Sequence, residues 1–304
     1  MAAKVEVVVK NVAETVGEGP HWDDKTQSLL YVDIMSNDVY KWKPETKENS
    51  KIHLDDFVSL VVPTEKNDYI ISLGKSLARL DWNTQKVTVL KEFDSTIATR
   101  FNDGKCDASG RLYAGTMSLE SAPCVLEHEC GSLYSYGVDG TIQTHETKVT
   151  ISNGLAWTQD NKTMYYIDST PRKVYVYDFD LASGKMSNRR TLINFPDYEP
   201  GEIMGLPDGM TIDTQDKIWV ACYSAGRVVR FDPETAKILQ VVKIDAVKTT
   251  SCCFGGKNLD ELYVTSAKAG YTEEEFRTKD PLAGSIFKVS GLGVKGYPAY
   301  PFRG

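Results

Sequence analysis

Four polar side chains recur at one position of an internal repeat, and a repeat of this length restricts a chain to folds built by stacking or ringing one unit. They are Glu18 in GEGPHWD, Asn102 in FNDGKCD, Asn153 in SNGLAWT and Asp208 in PDGMTID. Each stands one place before Gly or Asp. Four residues on comes Trp22, Cys106, Trp157 or Ile212, and the next column reads Asp23, Asp107, Thr158 and Asp213. A short apolar strand is expected after each polar residue, closed by an Asp-rich turn: DDKTQ at 23–27, DASG at 107–110, TQDNK at 158–162, DTQDK at 213–217. A second strand follows (LLYVDI, RLYAGT, TMYYID, KIWVAC), then an alternating third (DVYKWKP, GSLYSYGV, KVYVYDFD, RVVRFDP). Turns such as PETKEN, LASGK and PETAK lead to a fourth, as in KIHLDD, RRTLINF and ILQVVKI.

Two weaker units begin near Val58 and Thr250, so units start at 18, 58, 102, 153, 208 and 250. Six such units predict an all-β six-bladed β-propeller, with four-stranded blades around a central channel. The longer spacings put insertions at 117–132 and 196–206, and only TEEEFRTKD at 272–280 reads as helix. A chain of 304 residues, 41% hydrophobic, exceeds the usual single-domain size. Propellers are exceptions to that prior, and no linker composition divides the sequence, so 1–304 reads as a single propeller domain.

The innermost strand of each blade lines the channel, so equivalent residues converge at its mouth. Glu18, Asn102, Asn153 and Asp208 come from blades one, three, four and five, while blades two and six offer Val58 and Thr250. Turn formation alone explains Asn and Asp before a strand. Glu18 is a poor turn former, however, and four acids or amides in one column exceed what turns require. Carboxylates and carboxamides are hard ligands suited to Ca²⁺, Mg²⁺ or Mn²⁺. Zn²⁺ also accepts oxygen but usually takes some His or Cys. The histidines are His21, His53, His128 and His145, with no HxxxH or HExxH, and His21 is expected off the metal. A cation with open positions polarises a carbonyl and acidifies water, and a neighbouring carboxylate accepts the proton. Asp208 is the better base candidate than Glu18, because its shorter side chain is easier to hold in one geometry. Arg100, two residues before Asn102, is a donor to substrate oxygens unless it is a plain surface arginine. No GxSxG elbow, P-loop or strand–GxGxxG–helix pattern competes.

A formal net charge of −7, with the charges interspersed, argues against a nucleic-acid or anionic-membrane surface. No run approaches membrane-spanning length or a signal sequence. The six cysteines form no CxxC pair and read as reduced, mostly buried thiols of a cytosolic protein. Redox activity at Cys124 and Cys130, which flank a loop, is the minor alternative.

The segments GEGPHWD, RFNDGK, AGTM, ISNGLAW, YYIDS, PDGM, IWVACYSAGRVVR, KTTSCCFGGKNLDELYVTSA and GLGVKG run from residue 17 to 296. Together they resemble the gluconolactonase and luciferin-regenerating enzyme family. The resemblance implies a six-bladed propeller with one divalent cation (Ca²⁺, Zn²⁺, Mn²⁺ or Mg²⁺) held by Glu18, Asn153 and Asp208. It makes Asp208 the acid–base residue, and Arg100 and Asn102 substrate contacts with Asp103 nearby. Glu120 in GTMSLESAP is a further contact, although its neighbours depart from the family's common AEE pattern. Repeat equivalence instead makes Asn102 a fourth ligand, and both roles stay open.

The implied activity is hydrolysis of aldonolactones such as gluconolactone or gulonolactone, a step of ascorbate synthesis in many animals. The alternative is a calcium-binding regulator of calcium-dependent protein partners. Sensing needs affinities of about 10⁻⁷ to 10⁻⁵ M, and three oxygen ligands without a second acidic cluster point to weaker binding. The expectation is therefore a metal-dependent lactone hydrolase. It is expected as a cytoplasmic monomer, with a nuclear pool also implied by the resemblance, acting on a sugar lactone and binding neither nucleic acid nor membrane.

Overall fold

The computed structural model describes residues 3–93, 97–121, 125–199 and 201–304. Its strands form six four-stranded antiparallel sheets, the six blades of a propeller. Their innermost strands are Gly17–Asp23, Val61–Pro63, Thr99–Cys106, Ser152–Trp157, Leu206–Ile212 and Thr249–Gly255. Hydrophobic cores lie between neighbouring blades. One of them joins blades one and two through Leu30, Val32, Ile52, Val61, Ile71 and Leu80. Each such side chain contributes about 1.5–3 kcal/mol on burial.

Blade six is not built from its own repeat alone. Its outermost strand is Lys4–Val9, which pairs antiparallel with Ile286–Ser290 and closes the ring with the start of the chain. The segment KVEVVV carries none of the repeat's anchor residues, so the repeat gave it no place. Asn11 reinforces the closure. Its backbone N–H donates to Ser285 Oγ at 2.9 Å, and its amide donates to the carbonyls of Pro281 and Ala283, both at 3.0 Å.

The column residues lie inside the inner strands rather than before them. Pairing with the second strand shifts register at the same place in five blades. The breaks fall between Glu18 and His21, Phe101 and Gly104, Ser152 and Leu155, Pro207 and Met210, and Thr249 and Cys252. Such an irregularity interrupts the ladder and re-aims a side chain. Thr250 falls in the column as expected, but its hydroxyl donates to the Gly17 carbonyl at 2.6 Å and ties blade six to blade one.

In blade two the pairing of Val61 with Ile71 places Ser59, not Val58, in the column. The apolar run VSLVV offers no polar residue to mark register, which is why the repeat slips by one residue there. Ser59 is buried and hydrogen-bonded to Ser72 Oγ at 2.9 Å.

Turn formation belongs to the column five residues later. Asp107 Oδ1 accepts from the backbone of Ser109 and Arg111 at 2.9 and 3.1 Å, and Asp213 Oδ1 from Gln215 and Lys217 at 2.9 and 3.1 Å. Asp23 does the same for Lys25 and Thr26. These are Asx-type turns, and they leave the first column free for other work.

Of the two expected insertions, the described residues show one between Leu112–Ser118 and Gly131–Tyr136 and the other with a 3-10 turn, Phe195–Tyr198, ahead of Leu206–Ile212. The expected helix is Glu273–Lys279. Its Thr272 cap accepts from the Glu275 N–H at 3.2 Å, while Glu275 accepts from the Thr272 N–H at 3.1 Å. Cys106, Cys222, Cys252 and Cys253 are free and buried, and Cys130 is free and partly exposed. Cys124, raised above with Cys130 as a candidate for redox activity, lies outside the described residues.

The C-terminal segment straps the end of the channel where the inner strands finish. Its Lys295 carbonyl accepts from Thr214 N–H at 2.8 Å, its Gly296 N–H donates to Leu259 O at 2.8 Å, and its Phe302 N–H donates to Pro63 O at 2.9 Å. It therefore runs from blades five and six across to blade two.

Candidate metal centre

At the other end of the channel, Glu18, Arg100, Asn102, Asn153, Asp208 and Glu120 all line one cavity of about 310 Å³. Blades one, three, four and five each deliver the polar residue that their repeat predicts. Arg100 is buried at 7% exposure and is not a surface arginine. The insertion after Ser118 walls the cavity with Glu120, Leu126 and His128. Leu126 and His128 carried no repeat signal, and only their position in an insertion beside the mouth pointed to them. His21 does not line this cavity, in line with its exclusion as a ligand. Burial lowers its pKa to about 4, so the ring is neutral.

The glycines that follow the column let neighbouring inner strands meet. A Cβ on Gly154 would lie 2.5 Å from Met210 Cβ, and one on Gly209 would lie 2.6 Å from Ser251 Cα. Gly209→Ala is therefore expected to destabilise the fold by about 1–3 kcal/mol, the usual cost of overpacking. Denaturant unfolding measures it, and an unchanged midpoint would show that these strands do not touch there.

The amides are fixed by a short chain of hydrogen bonds. Arg100 Nη1 donates to Asn102 Oδ1 at 2.8 Å and to the Phe101 carbonyl at 2.9 Å. Asn102 Nδ2 donates to the Ser152 carbonyl at 2.8 Å and to Asn153 Oδ1 at 3.1 Å. Asn153 Nδ2 donates to Ser169 Oγ at 2.8 Å. With its nitrogen directed at Ser169, Asn153 keeps its amide oxygen on the side of Asn102 and retains a lone pair for another partner. The Asn102 oxygen is engaged by Arg100. Of its two roles, fourth ligand and substrate contact, this arrangement favours the second, with Asn102 also orienting Asn153.

The carboxylates are under-compensated. Burial, then repulsion from Asp103, raises the Glu18 pKa to about 8, against a 2.6 Å hydrogen bond from the Gly19 N–H. Asp208 keeps some surface open to the cavity but is ringed by protein. Its pKa is raised well above the usual range by burial, then by Glu18 and Asp103. Asp103 is raised as well, mainly by burial, and lines a smaller void beneath the mouth. Burial brings the Arg100 pKa down to about 10, while Glu120 and Glu18 hold it up.

Among the described residues, no group of three His, Cys, Asp or Glu side chains is disposed to hold a metal. The mouth instead offers two carboxylates and one amide oxygen. Desolvated like charges with a neutral hard oxygen beside them are a donor set that a divalent cation satisfies, so these residues fit the implied ion.

Comparison with known proteins agrees with the segments quoted above. The profile described as SMP-30/Gluconolactonase/LRE-like region matches residues 16–268. A protein of Gallus gallus named Regucalcin is 48% identical over 290 residues, which is 95% of each chain. A solved luciferin-regenerating enzyme superposes with a TM-score of 0.91 at 36% identity, covering 99% of this chain and 100% of that one. A gluconolactonase from Xanthomonas campestris shares the fold at a TM-score of 0.71 and 19% identity, covering 95% and 89% of the two chains.

Proposed function

Because the chain belongs to the SMP-30/gluconolactonase/LRE-like family, for which a lactonase-type function is the shared expectation, we propose that it is a metal-dependent hydrolase of sugar lactones. The observation that carries this reading is the convergence of Glu18, Asn153 and Asp208 on one cavity with Arg100, Asn102 and Glu120. The two carboxylates and the Asn153 amide oxygen would hold the ion. Bound there, a divalent cation would polarise the lactone carbonyl and acidify water.

The protein's own groups do the rest. Asp208 accepts a proton from the attacking water as its oxygen bonds to the carbonyl carbon. The ring C–O bond then breaks, and the departing oxygen takes that proton from Asp208 to give the open hydroxy acid. Asp208 is ringed by protein but keeps some surface open to the cavity, where an attacking water can reach it. Arg100, Asn102 and Glu120 supply donors and an acceptor for the sugar hydroxyls. The Arg100–Asn102–Asn153 chain keeps those contacts in register with the ligand oxygen. Leu126 and Met117 add apolar wall beside these groups.

The test is hydrolysis of D-glucono-δ-lactone by metal-stripped protein, with Ca²⁺, Mg²⁺, Mn²⁺ or Zn²⁺ restored singly. Activity should return with at least one ion. Tight ion binding without hydrolysis under any condition would favour the regulatory alternative. Arg100→Lys keeps the charge but loses the planar fork. It is expected to raise KM about tenfold, the worth of one charge-assisted hydrogen bond, with a smaller change in kcat. Equal losses in both parameters would make Arg100 a transition-state group instead.

A further inference from the structure

The channel has a second chamber, of about 90 Å³, at the end covered by the C-terminal strap. Ala156, Ile212, Cys253 and Phe254 form apolar walls, and Tyr297 and Pro298 of the strap form its roof. It has room for about six water molecules. Two polar side chains, His21 and Lys105, line both this chamber and the small void that leads toward the carboxylates.

Both keep hydrogen-bonding capacity for a further partner. Lys105 Nζ donates to the Met210 carbonyl at 2.8 Å and has no ion-pair partner among the described residues. An ammonium has three N–H donors, so two remain beyond that bond. His21 is 7% exposed, and its ring forms no hydrogen bond to the protein among the described residues. Among the described residues Lys105 is the one formally charged side chain on the chamber wall, while Asp103 lines the void on the metal side. His21 is buried and Lys105 half-buried, so each meets little solvent beyond the chamber itself. An occupant that brings negative charge and acceptor oxygens suits both groups, while the apolar walls favour a hydrocarbon body over a hydrated ion.

We propose that this chamber is a second binding site, for a small carboxylate with a short apolar body, whose carboxylate meets Lys105 and His21 while its hydrocarbon packs on Phe254, Ile212 and the strap. The site is separate from the metal centre and does not depend on lactone hydrolysis.

Butyrate is a probe of suitable size and chemistry, and n-butanol is its neutral counterpart. Binding is followed by saturation-transfer NMR on the full-length protein. Butyrate should saturate one site, with n-butanol at least about tenfold weaker, and EDTA should leave butyrate binding unchanged. Lys105→Met should weaken it about tenfold, the loss of one charge-assisted contact. Ala299→Trp should fill the chamber from the roof and abolish binding with strand content by circular dichroism retained. This second variant keeps the test decisive if Lys105→Met fails to fold. Three results each overturn the proposal: no saturable butyrate signal, equal affinity for n-butanol, or a butyrate signal that disappears with EDTA or persists in Ala299→Trp.

Discussion

Asp208→Ala is expected to lower kcat/KM for lactone hydrolysis by roughly a thousandfold, the middle of the range for a positioned general base. The same substitution should weaken metal binding and yet raise the stability of the metal-free protein. The last effect has the least obvious cause. Without a cation, Glu18, Asp103 and Asp208 crowd one region, and burial and mutual repulsion oppose the ionisation of each. Removing one carboxylate relieves that repulsion and a desolvation cost together.

Asp208→Asn separates the two roles. It keeps an oxygen donor but cannot accept the water's proton, so metal should still bind while turnover stays low. Kinetics, calorimetric metal titration and thermal unfolding in EDTA measure the three consequences. Near-normal turnover in Asp208→Asn would end the assignment of Asp208 as base. A metal-free Asp208→Ala less stable than its parent would mean that the carboxylate repulsion is relieved some other way.

The legible part of this molecule is the part that repeats. Glu18, Asn102, Asn153 and Asp208 announce themselves because they occupy one column in blades whose turns carry a second, regular Asp column. The structure gives the two columns different work. Asp107 and Asp213 cap turns through backbone N–H groups, while the first column sits where the strand ladder breaks and projects into the channel. Sequence spacing reads both columns alike, since a turn residue and a channel residue differ in direction rather than in type.

Three features had no such marker. Lys4–Val9 completes blade six by pairing across the chain ends, a long-range contact that local pattern does not encode. Ser59 holds its column position in a blade whose inner strand spans only Val61–Pro63, so one residue of slippage changed no visible pattern. Asp103 follows a column residue, and the alternation of a strand sends it toward the void beneath the mouth, where its charge acts on both Glu18 and Asp208. Its influence is electrostatic and needs the folded arrangement to be seen. Arg100 was marked by its place two residues before Asn102 and Glu120 only by family resemblance, and one cavity is lined by both, from an inner strand and an insertion.

Metal affinity is expected to weaken about tenfold for each pH unit below 8, with at least about one proton expelled per ion bound at pH 7. In the metal-free protein the Glu18 carboxyl has its pKa raised to about 8, and Asp208 is raised as well. At neutral pH Glu18 therefore holds a proton that an incoming cation must displace, and the rise at Asp208 acts in the same direction. The sign for stability follows from the same shift. An unfolded-chain glutamate titrates near 4.3, so between roughly pH 4.3 and 8 the folded metal-free protein binds more protons than the unfolded chain. Its stability therefore falls as pH rises through that window, the reverse of a carboxylate held low by a salt bridge. The stabilisation conferred by metal should grow over the same interval, because the ion takes the place of the protons. Calorimetric titration at pH 6, 7 and 8, in two buffers of different ionisation enthalpy, gives the affinity and the proton count together. Paired melts with and without EDTA give the stability curves. An affinity that stays flat from pH 6 to 8 would mean that Glu18 and Asp208 are already ionised before the metal arrives, with their charge balanced by Arg100 and Lys105 more fully than their burial implies.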